Sequence, residues 1–389
     1  MQASHVEPAI KHAVLALGSW HQAEMDDLIS RPRSRLYANS QYQLALENAQ
    51  TPLTSASVND LDRVLVGCIV FSIYEAARGY HEASQQHIKN GRRILLQYGD
   101  SLNSSRRSET AEILQMLTRL DIAFADQTPQ KHRNAEAAVG LNVPLEPCEF
   151  EEIRHAQKYL FDIERRLVLL QLNMSDAYAD GDHQVYAELH VERLKCVPAL
   201  LTWKKYFDRL LGKASPTTCD LTVLFLTLCY HAALIFARTE DQVAETQCDP
   251  LLPEFEVTVS CGEQIVDCLL RNPRLQSVIS YDTGYVTCIF FAATRCRDPR
   301  LRRRAISVLK ALPRQEGIWK SSSAAKIAEQ LIHLEEAGLD TENINCAADV
   351  PEQKRIWQMD GSLGPDAASM TAQFCGFSPG SCSFEMTDT

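Results

Sequence analysis

The chain has 389 residues, of which 45% are hydrophobic and 23% are charged, and its formal net charge is −11. This length and balance of residues are typical of a globular protein that buries a large core in one or two domains. The negative charge argues against a surface that wraps a nucleic-acid backbone, because phosphate binding depends on basic side chains.

The pattern of apolar residues is helical along most of the chain, and strand signals are poor. Prolines fall at or near the starts and joins of the apolar segments, where they disturb a helix least. Gly79 and Gly99 follow two of the segments in the manner of helix-ending glycines. The spacing predicts helices, in chain order, at about 5–25, 36–49, 61–74, 81–98, 107–126, 149–178, 184–212, 217–238, 253–271, 282–296, 299–311 and 322–338.

Two segments depart from this helical pattern. Residues 127–143 are polar without a clear period, so we predict a linker between two helical halves. Residues 340–389 are rich in Ser, Gly, Asp and Thr, and we predict a largely disordered tail. The fold class predicted is therefore all-α: an array of helical hairpins around a buried central core over residues 1–339, followed by the tail.

One predicted helix is apolar enough to be weighed as a membrane span. Residues 221–237 are about as long as the shortest spanning helices, but they include Thr222, Thr227, Tyr230 and His231. We therefore predict a buried central helix and no membrane contact. The first residues, MQASHVEPAIK, lack the basic and long apolar segments of a secretory signal, which favours the cytosol or nucleus.

The 13 cysteines form no CxxC pair, and the two pairs with a six-residue gap lack the close partners that a zinc site needs. We expect reduced thiols, mostly in helix cores. Examples are Cys68, Cys229 and Cys288.

A search for catalytic patterns finds little. The motifs GxSxG, GxGxxG and GxxxxGK[ST] are absent, and the zincin-like HEASQ at residues 81–85 has Gln85 in place of the second histidine. His183 and His190, with Glu192 nearby, are better explained as solvated helix-face residues than as metal ligands. The acids from Asp180 onward fit the start of a helix. We predict no catalytic, cofactor-binding or metal-binding residues, no cofactor and no enzymatic activity.

The densest basic cluster lies between residues 295 and 304, and it allows two interpretations. It could contact phosphate or serve nuclear import. It could also be a solvated helix whose arginines pair with acids such as Asp298 and Glu316, and the apolar residues interleaved on the opposite face favour this second interpretation. A weaker basic group is expected in a loop. Its members are Arg31, Arg33 and Arg35.

Two separated groups of residues carry a family resemblance. The N-terminal block, residues 74–95, follows the pattern YE..RG...A..H...G...L, with members Tyr74, Glu75, Arg78, Gly79, Ala83, His87, Gly91 and Leu95. The C-terminal block, residues 295–319, contains Cys296-Arg297-Asp298, Arg303-Arg304-Ala305, Pro313-Arg314, Glu316-Gly317 and Trp319. Between them, residues 203–211 follow W...F..LL. Together these resemble the α-helical regulatory domain of fungal zinc-cluster transcription factors, over roughly residues 8–337.

Physical chemistry suggests architectural roles for these residues. Gly79 would end a buried helix, and Glu75 with Arg78 or His87 would form a polar clamp across the hairpin. Gly91 would allow two helices to approach closely. Trp319 would close the final turn onto the bundle.

The resemblance implies a non-enzymatic regulator or coregulator of transcription in the nucleus, belonging to a secondary-metabolite gene cluster. Partners would be other transcription factors or coregulators, or a small-molecule effector held between helices. Members of this family begin with six cysteines that hold two zinc ions; this chain lacks that module, so we do not expect it to bind DNA directly. Two alternatives stay open: a metabolite-binding protein or enzyme that reuses the scaffold, or a truncated gene model of a full-length DNA-binding factor.

Overall fold

A computed structural model describes residues 7–25, 29–49, 58–98, 116, 145, 149–213, 220–240, 244–272, 279–280, 284–316, 319–340, 343–363, 369–376 and 381–387. Within these ranges the protein is predominantly helical up to residue 354, which confirms the all-α prediction for its body. The predicted linker at 127–143 lies outside the described residues. So does the predicted helix at 107–126, apart from the helical Met116.

Two helical hairpins form the N-terminal part. The first pairs α1 (Pro8–Met25) with α2 (Arg31–Ala49), and the second pairs α3 (Val58–Ala77) with α4 (His81–Tyr98). Helix α1 also packs on α3, so the hairpins share a core. Because α2 begins at Arg31, the expectation that the Arg31–Arg35 group lies in a loop is wrong: these arginines occupy the first turns of a helix.

The larger C-terminal part surrounds one extended apolar core. Its helices are α5 (Ile153–Ala179), α6 (His183–Leu194), α7 (Cys196–Lys213), α8 (Leu221–Arg238), α9 (Leu252–Arg271), α10 (Tyr285–Arg295), α11 (Pro299–Ala311) and α12 (Ser321–Glu336), with a 3-10 turn at Glu245–Leu251. The single helix predicted at 184–212 is divided into α6 and α7. Pro198 explains the division, since its ring cannot follow a continuous helix past the carbonyl of Leu194.

Helix α8 occupies the centre of this core, as predicted. It begins at Asp220, whose carboxylate accepts a hydrogen bond from the Thr222 N–H at 2.8 Å. Leu226, Leu228 and Ile235 are fully buried, and the helix packs against α5, α7, α9 and α10. By length and composition α8 could cross a membrane, but its position inside the bundle is sufficient to explain its apolar sequence.

Short strands add two small sheets. In the first, β1 (Ile279–Ser280) runs parallel to β2 (Gln315–Glu316), which is antiparallel to β3 (Trp319–Lys320). The second is an antiparallel meander of β4 (Ile356–Leu363), β5 (Ser369–Gly376) and β6 (Ser381–Thr387).

The tail predicted at residues 340–389 begins with a segment that contacts the helical body. Residues 343–356 lie on the helical body, where Arg355 is fully buried, and the strands β4 to β6 follow. The physical reason is that charged residues of this segment pair with residues about 100 positions earlier, a relation that local composition does not reveal.

Candidate functional site

The N-terminal block includes the end of α3. Gly79 has φ of +86°, the left-handed conformation that glycine adopts most easily. The Tyr80 N–H donates to the Glu75 carbonyl at 2.9 Å and the Gly79 N–H to the Ala76 carbonyl at 3.0 Å. These two bonds form a Schellman motif, so the prediction that Gly79 ends a buried helix is confirmed.

An aromatic cluster surrounds the Arg78 guanidinium at this helix end. Its carbon lies 4.5 Å from the ring centre of Tyr80, 5.3 Å from that of Tyr74 and 5.9 Å from that of Tyr42. Arg78 also pairs with Glu75 at 3.4 Å, but the two residues lie three positions apart at one helix end, so this pair does not cross the hairpin as the predicted clamp would. Burial raises the pKa of Tyr74 to about 12, so this phenol stays neutral.

His87 is not the partner of Glu75. Its Nε2 lies 3.4 Å from the Tyr42 hydroxyl, and its ring centre lies 5.4 Å from that of Phe71. Burial lowers the pKa of His87. The neutral ring therefore packs within the aromatic core rather than closing an ion pair.

The C-terminal block places a buried carboxylate at the start of α10. Glu316 Oε2 accepts the N–H groups of Gly284 and Val286 at 2.8 and 3.0 Å, and its Oε1 accepts from Arg314 Nε at 2.8 Å. Burial raises the pKa of Glu316 and outweighs the opposing effect of Arg314. Gly284 is required here, since a Cβ at that position would lie 2.1 Å from Glu316 Oε1.

A buried ion network follows the opposite end of α10. Arg297 pairs at 2.6 Å with both Glu245 and Glu335, and Arg302 pairs with Glu335 at 2.8 Å. All four side chains are fully excluded from solvent. Burial alone would raise the pKa of Glu335, but Arg297 and Arg302 outweigh it and hold that pKa below the usual carboxyl range.

Two further arginines of α11 also turn towards acids of the protein. Arg303 pairs with Glu336 at 2.7 Å, and Arg304 contacts Glu256 at 2.5 Å and Glu263 at 2.8 Å. The preferred interpretation of the basic cluster, a solvated helix with paired arginines, is confirmed in its pairing for Arg303 and Arg304. It is wrong about solvation for Arg297 and Arg302, which are fully buried. Both acids named for it have other roles: Asp298 caps α11 by accepting the Leu301 N–H at 2.9 Å, and Glu316 pairs with Arg314, outside the cluster.

The two blocks meet in space. The side-chain amide of Gln315 in β2 donates to the Ala76 carbonyl at the end of α3, at 3.3 Å, across 239 positions of sequence. At the start of α4, burial and the positive charge of Lys320 lower the pKa of His81 to about 4. Trp319, in β3, packs on Phe290 with ring centres 5.2 Å apart, as the closing role predicted for it requires.

The C-terminal segment is tied to the same network. The Arg297 guanidinium donates to the Ile356 carbonyl at 2.8 Å, and the Ile356 N–H donates to Glu335 at 2.8 Å. Arg355 makes a forked contact with Asp249, at 2.7 and 2.9 Å. The block therefore fastens α10, α11, α12 and the start of the tail together.

The other candidate residues of the sequence analysis do not take part in the junction, the region where the N-terminal and C-terminal blocks meet. His190 Nδ1 lies 3.1 Å from Glu240, and Glu192 pairs with Arg166 at 2.7 Å, while His183 is exposed. Within the described ranges no three His, Cys, Asp or Glu side chains are grouped as a metal site would need. Trp203 is fully buried and donates to the Ala156 carbonyl at 2.7 Å.

The N-terminal block lies within a region that is similar to a known family of domains. A model of the fungal specific transcription factor domain matches residues 1–124. The Aspercryptin biosynthesis cluster-specific transcription regulator atnN of Emericella nidulans is 20% identical over an alignment of 453 residues, which covers 92% of this chain and 73% of the relative. No solved structure matches the chain. The predicted resemblance is confirmed, and both similarities point to a transcriptional regulator, a class of protein that is not an enzyme.

The junction of the two blocks is built from contacts that fix structure. Its charged groups are buried and paired, and its aromatic rings pack on one another. These contacts hold the ends of helices that are distant in sequence in a fixed relative position. Sequence reasoning found both blocks, but it missed Glu245, Glu335 and Gln315, which lie outside the quoted patterns or have no local signal.

Proposed function

We propose that this protein regulates transcription of a secondary-metabolite gene cluster in the nucleus, through contacts with other transcription factors or coregulators. The link to a metabolite cluster is supported by the role of the relative, a cluster-specific regulator. A nuclear location is supported by the class of protein that the family model describes.

We infer the mode of action from the directions in which the arginines of the C-terminal block point. Phosphate contacts need basic side chains that are free to reach the nucleic acid. Arg297 and Arg302 are buried, and Arg303 and Arg304 are paired with acids. We therefore propose that this block supports a protein-binding regulatory domain and does not read DNA.

Gene replacement tests this proposal. Deletion of the gene is expected to change the transcript levels of one biosynthetic gene cluster, and the wild-type chain is expected to restore them. Arg300 offers a matched variant, because its side chain is exposed on α11. If the chain acts by protein contact, Arg300→Glu should restore the transcripts as fully as the wild type does. Unchanged transcripts after deletion would contradict the proposed regulation, and failure of Arg300→Glu would favour a phosphate contact.

A tethering experiment tests the mechanism separately. The full chain is fused to an unrelated DNA-binding module upstream of a reporter gene, and a fluorescent fusion reports its location. We expect nuclear fluorescence and a change in reporter output, since a regulatory domain acts once it is brought to a promoter. A fusion that enters the nucleus and recovers no transcription factor or coregulator from nuclear extract would argue against action through protein contacts.

A small-molecule effector is a further part of the proposal. Tyr285 is 2% exposed, and its hydroxyl has no hydrogen-bond partner among the described residues. Buried hydroxyls normally have a partner. The test is a thermal-shift screen with metabolites of the regulated cluster, in which Tyr285→Phe should reduce any stabilisation that a ligand produces.

A further inference from the structure

Helix α2 carries leucines on the side opposite its buried face. Its inner side carries the buried residues Ala38, Tyr42 and Ala45, which belong to the core shared with α1 and α3. Its outer side exposes Leu36 and Leu44, which are 71% and 39% exposed. A helix that only covers a core has one apolar stripe and a polar outer face, so the outer side of α2 has the character of a contact surface.

The charged residues of α2 also divide between the side that faces α1 and the outer side. Arg31 donates to the Ala23 carbonyl, and Arg35 pairs with Glu24 at 2.8 Å, so both turn towards α1. Arg33 and Glu47 are exposed and have no ion-pair partner among the described residues. At about 100° per residue, Arg33, Leu36, Ser40, Leu44 and Glu47 fall within an arc of roughly 80°.

This outer arc is symmetric about Ser40. Leu36 and Leu44 lie four positions before and after it, and Arg33 and Glu47 lie seven positions before and after it. An antiparallel two-fold pairing of α2 with a second copy would place each Leu36 against Leu44 of the other copy. It would also place each Arg33 beside Glu47 of the other copy, and the small Ser40 at the axis would let the helices approach.

The helix dipole adds an independent argument. Arg33 lies in the positive N-terminal part of α2 and Glu47 in its negative C-terminal part, so each charge is unfavourable for its own helix. No acid stands in the first turn and no base in the last. An antiparallel copy reverses both relations, because each charge then faces the oppositely charged end of its neighbour.

We propose that the outer face of α2, residues 33–47, is a homodimer interface formed by antiparallel two-fold pairing with a second copy of this chain. Complementary charge and the symmetric leucines select a copy of the same helix over an unrelated partner. A single helix pair is at the small end of interface sizes, so the dimer is weak, with a dissociation constant of roughly micromolar order.

Charge exchange tests the pairing by sedimentation equilibrium on the full chain. Arg33→Glu and Glu47→Arg each put like charges opposite one another, and each is expected to weaken self-association about tenfold. A mixture of the two single variants restores both contacts and should associate as a heterodimer. The double variant Arg33→Glu/Glu47→Arg should self-associate as the wild type does. If neither the mixture nor the double variant recovers association, the proposed pairing is overturned.

A cysteine at the axis tests the register. Ser40→Cys is expected to form a disulfide-linked dimer under mild oxidation beyond the amount that the parent chain gives, because the two axial residues meet. The control Leu201→Cys, at an exposed position of α7, should add none. A wild-type chain that stays monomeric at high concentration, or equal crosslinking by both cysteines, overturns the proposal; the latter result would indicate non-specific contact.

Discussion

Helices α11 and α2 both carry a dense group of arginines, and the structure uses them differently. In α11 three of the four arginines face acids supplied by α9 and α12, and Arg302 is fully buried, while Arg300 is exposed. In α2 two arginines turn towards α1, and Arg33 alone faces outwards with Glu47 on the same arc. The density of basic residues therefore does not identify a surface. What decides the role is whether distant parts of the chain bring acids to meet them.

The largest loss of stability is expected when Arg297, which lies just before α11, loses its charge. Arg297→Leu leaves Glu245 and Glu335 buried without their shared partner, and it should lower the free energy of unfolding by about 3–5 kcal/mol. Urea denaturation measures this. Arg300→Leu is the matched control at an exposed position, and it should change the value by less than about 0.5 kcal/mol. Equal effects of the two substitutions would contradict the buried network.

Sequence could predict the parts of this architecture that depend on neighbouring residues. The helical periods located most of α1 to α12, and Gly79 was identified as a helix end because its effect is local. The pairs that hold the C-terminal block together are of another kind. Arg302 and Glu335 are 33 positions apart, Arg297 and Glu245 are 52 apart, and no local pattern relates them.

The next largest effect tests the cap on α10. Gly284→Ala places a methyl group where the Glu316 carboxylate lies, and it should cost about 2–4 kcal/mol by displacing the bonds to Gly284, Val286 and Arg314. Gly18→Ala is the control, because its Cβ would meet nothing within 4 Å inside α1. That substitution should stabilise the protein by about 0.5–1 kcal/mol, so the two glycines should give opposite signs.

Contacts between residues that are distant in sequence also explain which features of the junction could not be predicted. Lys320 and His81 belong to separate elements, and only the fold brings them near one another. The tail was predicted from composition, and composition cannot show that Arg355 meets Asp249 across 106 positions. The two α2 leucines were visible as helix-spaced residues, but their exposure is a property of the packed hairpin.

Acid should weaken the buried network selectively. The pKa of Glu335 is held below the usual carboxyl value of about 4.3, so its contribution is present above that value and is lost as the pH falls towards the lower folded pKa. Glu335→Gln removes this titration. The difference in unfolding free energy between wild type and Glu335→Gln should be constant at neutral pH and should shrink on acidification. A difference that grows in acid would mean that Glu335 is protonated in the folded protein.

The smallest effect on the folded monomer is expected at the outer face of α2. Leu36 is 71% exposed, so Leu36→Ser should change the unfolding free energy of dilute protein by less than about 0.5 kcal/mol. Association with a second copy stabilises the folded state by mass action, and this contribution grows with protein concentration. The melting temperature of the wild type should therefore rise with concentration, while that of Leu36→Ser should not. If both rise equally, the leucines of α2 do not contribute to association and the outer face is merely tolerated by the fold.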